Sequence, residues 1–364
     1  MFTNDIINKL RPYKVSSHKA WEYEDKSEVL KLDWNEATIP PSPLVKKRLE
    51  ESFVSEQLNW YPDTNNTKLL KLLAEYNKVE VDNVQYFASS DSLHEYIVRC
   101  FINQTDRVLV LGPTYDNFRA VAESNGANIQ NYLMNDSFQP DIEQLNLDLK
   151  LIRPKVFYIV NPNNPTGGVL KKEDIEFLIV NNKETLFIID EAYFEFSGVT
   201  MSDKVDEFEN LMITRTFSKA FALASFRLGY AISNESNIKL LNKIRNPKNV
   251  SLFAQIAGIA ALEDIQYTKT FVEEVSLTRW HFISNLQKFS WLKTYPSEAN
   301  FVFVKISDLK IKEDLLNFLN ENKIFIRDYG HLPLTKNYVR ITIGLKTQME
   351  RVLGFFNMFN ENLK

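Results

Sequence analysis

Lys219 stands in RTFSKAFALASFRLGY (215–230), with Thr216 and Ser218 just before it and Arg227 eight positions after it. A lysine held in a confined pocket beside other cations loses part of its preference for the charged form and becomes an amine nucleophile for carbonyl carbon. Alone, Lys219 would read as a surface lysine in a loop. Its neighbours change that reading, because Thr216 and Ser218 can donate hydrogen bonds to an anion. Arg227 interrupts an apolar run, and a buried guanidinium there needs an anionic partner, which a phosphate supplies with matching geometry.

Four further segments carry polar groups at strand ends. In FASSDSLHEY (87–96), Ser90, Asp91 and Ser92 are expected at the cap and first turn of a helix, where free N–H groups and the helix dipole attract an anion. In FIIDEAYFEF (187–196), Asp190 ends an otherwise apolar strand. Its carboxylate is then expected at the carboxyl edge of a sheet, where ligands collect in open α/β folds, and could keep a heterocyclic nitrogen protonated. Glu191 beside it reads as structural. NPNNPTGG (161–168) is a turn whose asparagines can bond locally or reach into a site. Tyr115 in LGPTYDNF could lay its ring over a flat ligand. Together these residues ask for a ligand with a phosphate, a planar ring, a basic ring nitrogen and a carbonyl. Pyridoxal 5'-phosphate has all four.

The elements that must position these groups are legible from residue 84 onward. VQYF (84–87), RVLVL (107–111), KVFYIV (155–160), LFIID (186–190), LMIT (211–214) and LGYAIS (228–233) read as strands. SLHEYIVRCFI (92–102), NFRAVAESN (117–125) and KEDIEFLIVNN (172–182) read as helices between them. Alternation of apolar strands with helices predicts a mostly parallel sheet covered on both faces. The last third reads as a long helical region over 250–290, then NFVFVKI, a helix, IFIRDY, YVRITIG and a final helix, making a smaller α+β domain. The expected division is 46–244 for the large domain, and 1–45 with 245–364 for the small one. No GxGxxG follows the first strands, which argues against a dinucleotide fold.

The chain has 364 residues with a net charge of -4, which argues against a nucleic-acid surface. Its one cysteine, Cys100, permits no internal disulfide and fits a reducing cytoplasm. The amino terminus lacks a signal-peptide core, and the longest apolar stretch is too short for a membrane span. His18, His94, His281 and His331 are too scattered to suggest a metal site.

On LDWNEA, WYPD, PNNPTG, DEAYFEF, RTFSKAF, PSEANFVFV and VRITIG, the sequence resembles the fold-type I pyridoxal-phosphate enzymes, closest to the histidinol-phosphate aminotransferase family. The resemblance covers nearly the whole chain. It implies a large domain with a mostly parallel seven-stranded sheet and a smaller α+β domain. It also implies roles: Lys219 would form the Schiff base, Asp190 would pair with the pyridine nitrogen, and Asn164 and Tyr193 would bond the ring's phenolic oxygen. Tyr115 would stack on the ring, and Ser90, Asp91, Ser92, Thr216, Ser218 and Arg227 would surround the phosphate. Tyr61 of WYPD would reach the neighbouring subunit's cofactor, implying a homodimer. Arg340 would bind the substrate carboxylate, Arg327 the substrate's phosphate or second charge, and Asn35 would line the substrate pocket.

Two departures stand out. The family's Gly-Ser-Asp-Glu reads Ser89-Ser90-Asp91-Ser92 here, and its Asn-Glu-Asn-Pro segment reads NEATIPPSP (35–43). The second alters a pocket wall and points away from the imidazole-bearing substrate toward another small phosphorylated compound. The implied reaction is amino transfer from L-glutamate to a phosphorylated ketone or aldehyde. A decarboxylase of phosphoserine or phosphothreonine would use the same cofactor residues and remains the alternative. A cofactor-binding DNA regulator would need a basic arm or a helix-turn-helix, and neither precedes the fold.

Overall fold

The computed structural model describes residues 4–13, 19–331 and 334–363. Twelve strands are found among the described residues: β1 Leu30–Leu32, β2 Val84–Phe87, β3 Arg107–Gly112, β4 Asn128–Leu133, β5 Val156–Val160, β6 Leu186–Asp190, β7 Leu211–Thr216, β8 Gly229–Ser233, β9 Leu292–Thr294, β10 Phe301–Ile306, β11 Ile324–Asp328 and β12 Tyr338–Thr342. Strands β2 to β8 form one seven-stranded sheet in the order β2-β8-β7-β6-β5-β3-β4. Only β8 runs against its neighbours; the other pairings are parallel.

Side chains alternate across the two faces, as the strand period demands. Phe157, Ile159, Phe187 and Ile189 pack on one face with Leu69, Leu73 and Leu178. Val156, Tyr158, Val160 and Ile188 pack on the other with Leu93, Ile97 and Phe118. Helices cover both faces, so β5 and β6 are buried along their whole length. β4 is not marked as a strand by its sequence: NIQNYL sits at the sheet edge, is only partly buried and carries no continuous apolar run.

The second sheet has the order β1-β11-β12-β10-β9. Val302, Val304, Val339, Ile341 and Ile343 pack with Val275, Leu315 and Val352 from its covering helices. The helical region expected over 250–290 is two helices, Leu252–Glu263 and Ile265–Leu286, meeting at Asp264, which has a non-helical backbone. β1 pairs in parallel with β11, which ties the amino-terminal segment to this sheet. No helix among the described residues is long and apolar enough to cross a membrane.

Candidate active site

A cavity of about 510 Å³ opens at the carboxyl edge of the seven-stranded sheet, within the size range of small-molecule sites. Three parts of the chain wall it. The amino-terminal segment gives Tyr13, Trp21, Asp33, Trp34 and Glu36; the large sheet's strand ends give Asp190, Thr216 and Lys219; the second sheet gives Arg327, Tyr329 and Arg340.

Lys219 follows β7, and its Nζ donates to the Trp34 carbonyl at 2.8 Å. Burial, and then the nearby Arg340 guanidinium, push its pKa down to about 8. A sizeable fraction is therefore neutral near physiological pH, which an amine nucleophile requires.

Hydroxyls and a cation gather at one end of the cavity. Ser90, Thr216, Ser218 and Arg227 line it. Thr216 Oγ1 accepts from the Ser218 N–H at 3.1 Å and donates to Ser218 Oγ at 3.0 Å. The helix Ser90–Phe101 points its first turn here, capped by Ser89, whose Oγ accepts from the Ser92 N–H at 3.2 Å. The cap is thus Ser89, and Ser92 serves the cap without lining the cavity. Gly229 makes this approach possible. A Cβ there would stand 2.5 Å from the Ser90 nitrogen and 2.9 Å from the Arg215 carbonyl oxygen, so helix and strand could not meet as closely.

Arg227 departs from its expected burial: its side chain is 49% exposed, and it donates to Asp91 Oδ2 at 2.9 Å. It follows a short 3-10 turn at the cavity wall and takes its anionic partner from within the chain. Asp91 Oδ1 also accepts from the Tyr115 hydroxyl at 3.0 Å and from Asn117 at 3.2 Å.

Asp190 is buried at the end of β6, and burial raises its pKa while His94 and Tyr158 oppose the rise. The Tyr158 hydroxyl donates to its Oδ2 at 2.6 Å, and the Ala192 N–H to Oδ1 at 3.1 Å. Neither His94 nor Tyr158 is assigned to this site by the sequence motifs. The available signal was a phenol in the otherwise apolar strand KVFYIV, since a buried tyrosine hydroxyl needs a partner. Glu191 faces away from the cavity, forming a buried ion pair with Arg215 at 2.7 Å and accepting from the Met201 N–H at 2.8 Å.

The asparagines of NPNNPTGG divide their work. Asn163 stays local, bonded to Thr114, Thr166 and the Pro113 carbonyl. Asn164 lines the cavity; its Oδ1 accepts from Arg340 at 2.6 Å and from the Tyr329 hydroxyl at 3.0 Å. Tyr193 is buried and accepts from Asn35 Nδ2 at 3.0 Å. Asn35 is itself wholly buried behind the cavity wall, locked to Thr342 and Asn300. Arg340 also donates to the Asp33 carbonyl at 2.6 Å, and its Nε has no partner among the described residues. Arg327 is buried on the neighbouring strand.

Tyr61 is not brought to this cavity. It is 75% exposed, with Lys248 Nζ 4.5 Å above its ring. His18 lies outside the described residues, and no cluster of three or more potential metal ligands occurs among those described.

The donor set fits a phosphorylated aromatic aldehyde. It lines one cavity with hydroxyls and a helix start, a carboxylate shielded from solvent and a partly neutral amine.

The family model described as aminotransferase class I and II matches residues 27–356. A dihydroxyacetone phosphate transaminase of Campylobacter jejuni is 45% identical over 359 residues, covering 97% of this chain and 95% of that protein. A histidinol-phosphate aminotransferase of Ruminiclostridium cellulolyticum is 33% identical over 346 residues, 94% of this chain and 96% of that protein. The crystal structure of histidinol-phosphate aminotransferase from Sinorhizobium meliloti, in complex with pyridoxal-5'-phosphate, matches with a TM-score of 0.90 over 100% of this chain and 98% of that one. Identity to that structure is 24%, so the likeness is one of fold.

Proposed function

Because this chain belongs to the class I and II aminotransferase family, we propose that it uses pyridoxal 5'-phosphate to move an amino group between L-glutamate and a small phosphorylated ketone. Dihydroxyacetone phosphate is the acceptor we favour. The observation that carries this reading is the charge layout around Lys219. All six of Ser90, Thr216, Ser218, Arg227, Arg340 and Arg327 line the cavity with Lys219; the first four would form one anion-binding end and the two strand arginines a second. Two anion sites about one amine suit a cofactor phosphate and an anionic substrate.

When bound, the cofactor supplies an aldehyde and an electron-withdrawing ring that takes up the electron pair released at the substrate carbon. Lys219 would hold it covalently and, once displaced by the amino donor, would take the proton from the donor's Cα on Nζ and deliver it to the former aldehyde carbon of the cofactor. Asp190 would face the ring nitrogen and keep a proton there. Tyr115 would stack on the ring, and Asn164 and Tyr193 would offer hydrogen bonds to its phenolic oxygen. Arg340 would clamp the glutamate carboxylate, and Arg327 the phosphate of the acceptor.

The choice of acceptor draws on the changed NEATIPPSP segment and on the 45% identical relative named for dihydroxyacetone phosphate. Amino transfer to that ketone would give 2-amino-3-hydroxypropyl phosphate. We also propose a homodimer: Phe53, Val54, Leu58, Trp60 and Tyr61 form an exposed apolar stretch that a second copy would cover. Tyr61 would thereby reach the neighbouring cofactor.

A half-reaction tests the proposal. Protein loaded with pyridoxal phosphate and mixed with L-glutamate should lose the bound-cofactor band and release stoichiometric 2-oxoglutarate. Dihydroxyacetone phosphate should then restore the band faster than imidazole acetol phosphate. An unchanged band with glutamate, together with carbon dioxide release from phosphothreonine or phosphoserine, would replace this reading with the decarboxylase.

A further inference from the structure

Asp190 and Tyr158 lie on the same face of the seven-stranded sheet. β5 and β6 pair so that Tyr158 is opposite Ile188 and Val160 opposite Asp190. The Tyr158 ring reaches two residues along the neighbouring strand, and its hydroxyl meets Asp190 Oδ2 at 2.6 Å. From the helix side, His94 Nε2 stands 3.6 Å from the same oxygen and 3.3 Å from Thr214 Oγ1. Both residues are wholly buried.

The His94 ring is fixed by its neighbours. It stands edge-on to Phe118 and to Tyr158, with centroids 5.4 and 5.5 Å away, and those two rings stack at 4.1 Å. Its Nδ1 has no partner among the described residues, whereas Nε2 is within hydrogen-bond distance of Thr214 Oγ1 and 3.6 Å from Asp190 Oδ2. The proton of a neutral imidazole belongs on the nitrogen that has acceptors.

We propose that Tyr158 and His94 are positioning residues that act through Asp190, holding its carboxylate ionised and aimed so that a cofactor nitrogen facing it keeps its proton. This rests on reading the cavity as a pyridoxal-phosphate site. Donors to a carboxylate lower its affinity for a proton. In a hydrogen bond shared between a ring nitrogen and Asp190, they drive the proton onto the nitrogen. Without them, a carboxylate this deeply buried recovers the neutral form that burial favours, and the ring becomes a weaker electron sink. The titratable groups facing Asp190 are His94 and Asp91 from the helix Ser90–Phe101, Tyr158 from β5, and Tyr193. Only Asp91 among them adds negative charge; against it stand the hydrogen bonds from the Tyr158 hydroxyl and the Ala192 N–H, with the polar His94 ring 3.6 Å away.

The test uses the full chain with Tyr158→Phe, His94→Leu and His94→Gln, each titrated with pyridoxal phosphate. Loss of positive charge at the ring nitrogen raises the proton affinity of the nitrogen linked to Lys219. The absorbance midpoint of the bound cofactor should therefore rise by about one pH unit in Tyr158→Phe, with kcat of the glutamate half-reaction falling about tenfold and KM little changed. His94→Leu should shift the same way. His94→Gln, which keeps an N–H, should shift less than His94→Leu. Should Tyr158→Phe not fold, the difference between the two His94 variants decides. Variants that lose only melting temperature, keeping the wild-type midpoint and kcat, would overturn the inference and leave these residues as packing. Failure of the wild-type protein to bind pyridoxal phosphate would instead overturn the reading of the cavity, and this inference with it.

Discussion

Arg327 and Arg340 stand directly opposite each other across the antiparallel pair β11–β12, and both are buried. Like charges opposed on neighbouring strands repel, and desolvation adds to the cost. Arg340 spreads its hydrogen bonds over neutral acceptors, the Asn164 amide oxygen, the Tyr329 hydroxyl and the Asp33 carbonyl. These orient the guanidinium without neutralising it. An anionic ligand contacting both guanidinium groups would relieve the repulsion, and the substrate roles proposed for this pair rest on that.

Replacing either arginine by lysine keeps the charge and loses the planar fork. Arg340→Lys should raise KM for L-glutamate about tenfold to a hundredfold, the loss expected when a charge-assisted pair becomes a single contact. Arg327→Lys should do the same for the phosphorylated acceptor and leave the glutamate half-reaction near wild type. Stopped-flow measurement of each half-reaction separates the two. Equal effects of both variants on both substrates would remove the division of labour between the arginines.

Lys219→Ala should abolish turnover and the absorbance of covalently bound cofactor; a variant that still moves amino groups would end its assigned role. The lowered pKa gives a second handle. Well below pH 8 Lys219 is protonated in both the folded and the unfolded chain. Between about 8 and the ordinary value of 10.5, the unfolded chain holds a proton that the folded one lacks. The Lys219 contribution to stability therefore rises with pH through that window. Lys219→Met should be more stable than wild type at neutral pH, with the gap closing toward pH 10. The rate at which cofactor-free protein captures pyridoxal phosphate should rise with a midpoint near 8, and a midpoint near 10.5 would contradict this environment.

Gly229→Ala should weaken the protein and its cofactor site together. The new Cβ would collide with backbone at Ser89, Ser90 and Arg215, and backbone cannot swing aside as a side-chain tip can. Overpacking of this kind costs about 1–3 kcal/mol. The helix Ser90–Phe101 must then shift away from β7 and β8, moving its N–H groups from the hydroxyls of Thr216 and Ser218. A lowered melting temperature with a raised dissociation constant for pyridoxal phosphate is expected. An unchanged dissociation constant would show that this helix start does not hold the phosphate.

Much of this site is legible in the chain because strand ends write themselves plainly. LFIID is buried on both faces, so a carboxylate at its last position has one place to be, the sheet's edge. Ser90, Asn164 and Thr216 likewise stand at or just beyond the ends of the strands VQYF, KVFYIV and LMIT. Contacts between elements are less legible. Tyr158 and His94 meet Asp190 only because β5, β6 and a helix pack in one register, which spacing along the chain does not express. The Trp34 carbonyl that holds Lys219 is a backbone group with no residue-type signal. β4 went unread for a different reason: at an edge, solvent permits asparagine and glutamine where inner strands require valine and isoleucine.

Asp190 and Glu191 are adjacent carboxylates with opposite surroundings, and their amide variants should fail in opposite ways. Asp190 lines the cavity and is held by neutral donors and a histidine. Asp190→Asn is nearly the same size and removes no ion pair to lysine or arginine. The protein should stay folded and bind pyridoxal phosphate, while turnover drops roughly a hundredfold or more, because an amide cannot keep a ring nitrogen protonated. Glu191 instead neutralises Arg215, which is 1% exposed and also donates to Asn77 and Thr200. Removing one partner of such a pair leaves a buried charge uncompensated, at about 3–5 kcal/mol. Glu191→Gln should therefore lose much of its stability in denaturant titration, while the fraction that folds keeps a wild-type cofactor spectrum and kcat. If Glu191→Gln were stable and inactive, or Asp190→Asn unstable and active, the assignment of chemistry to one and support to the other would be reversed.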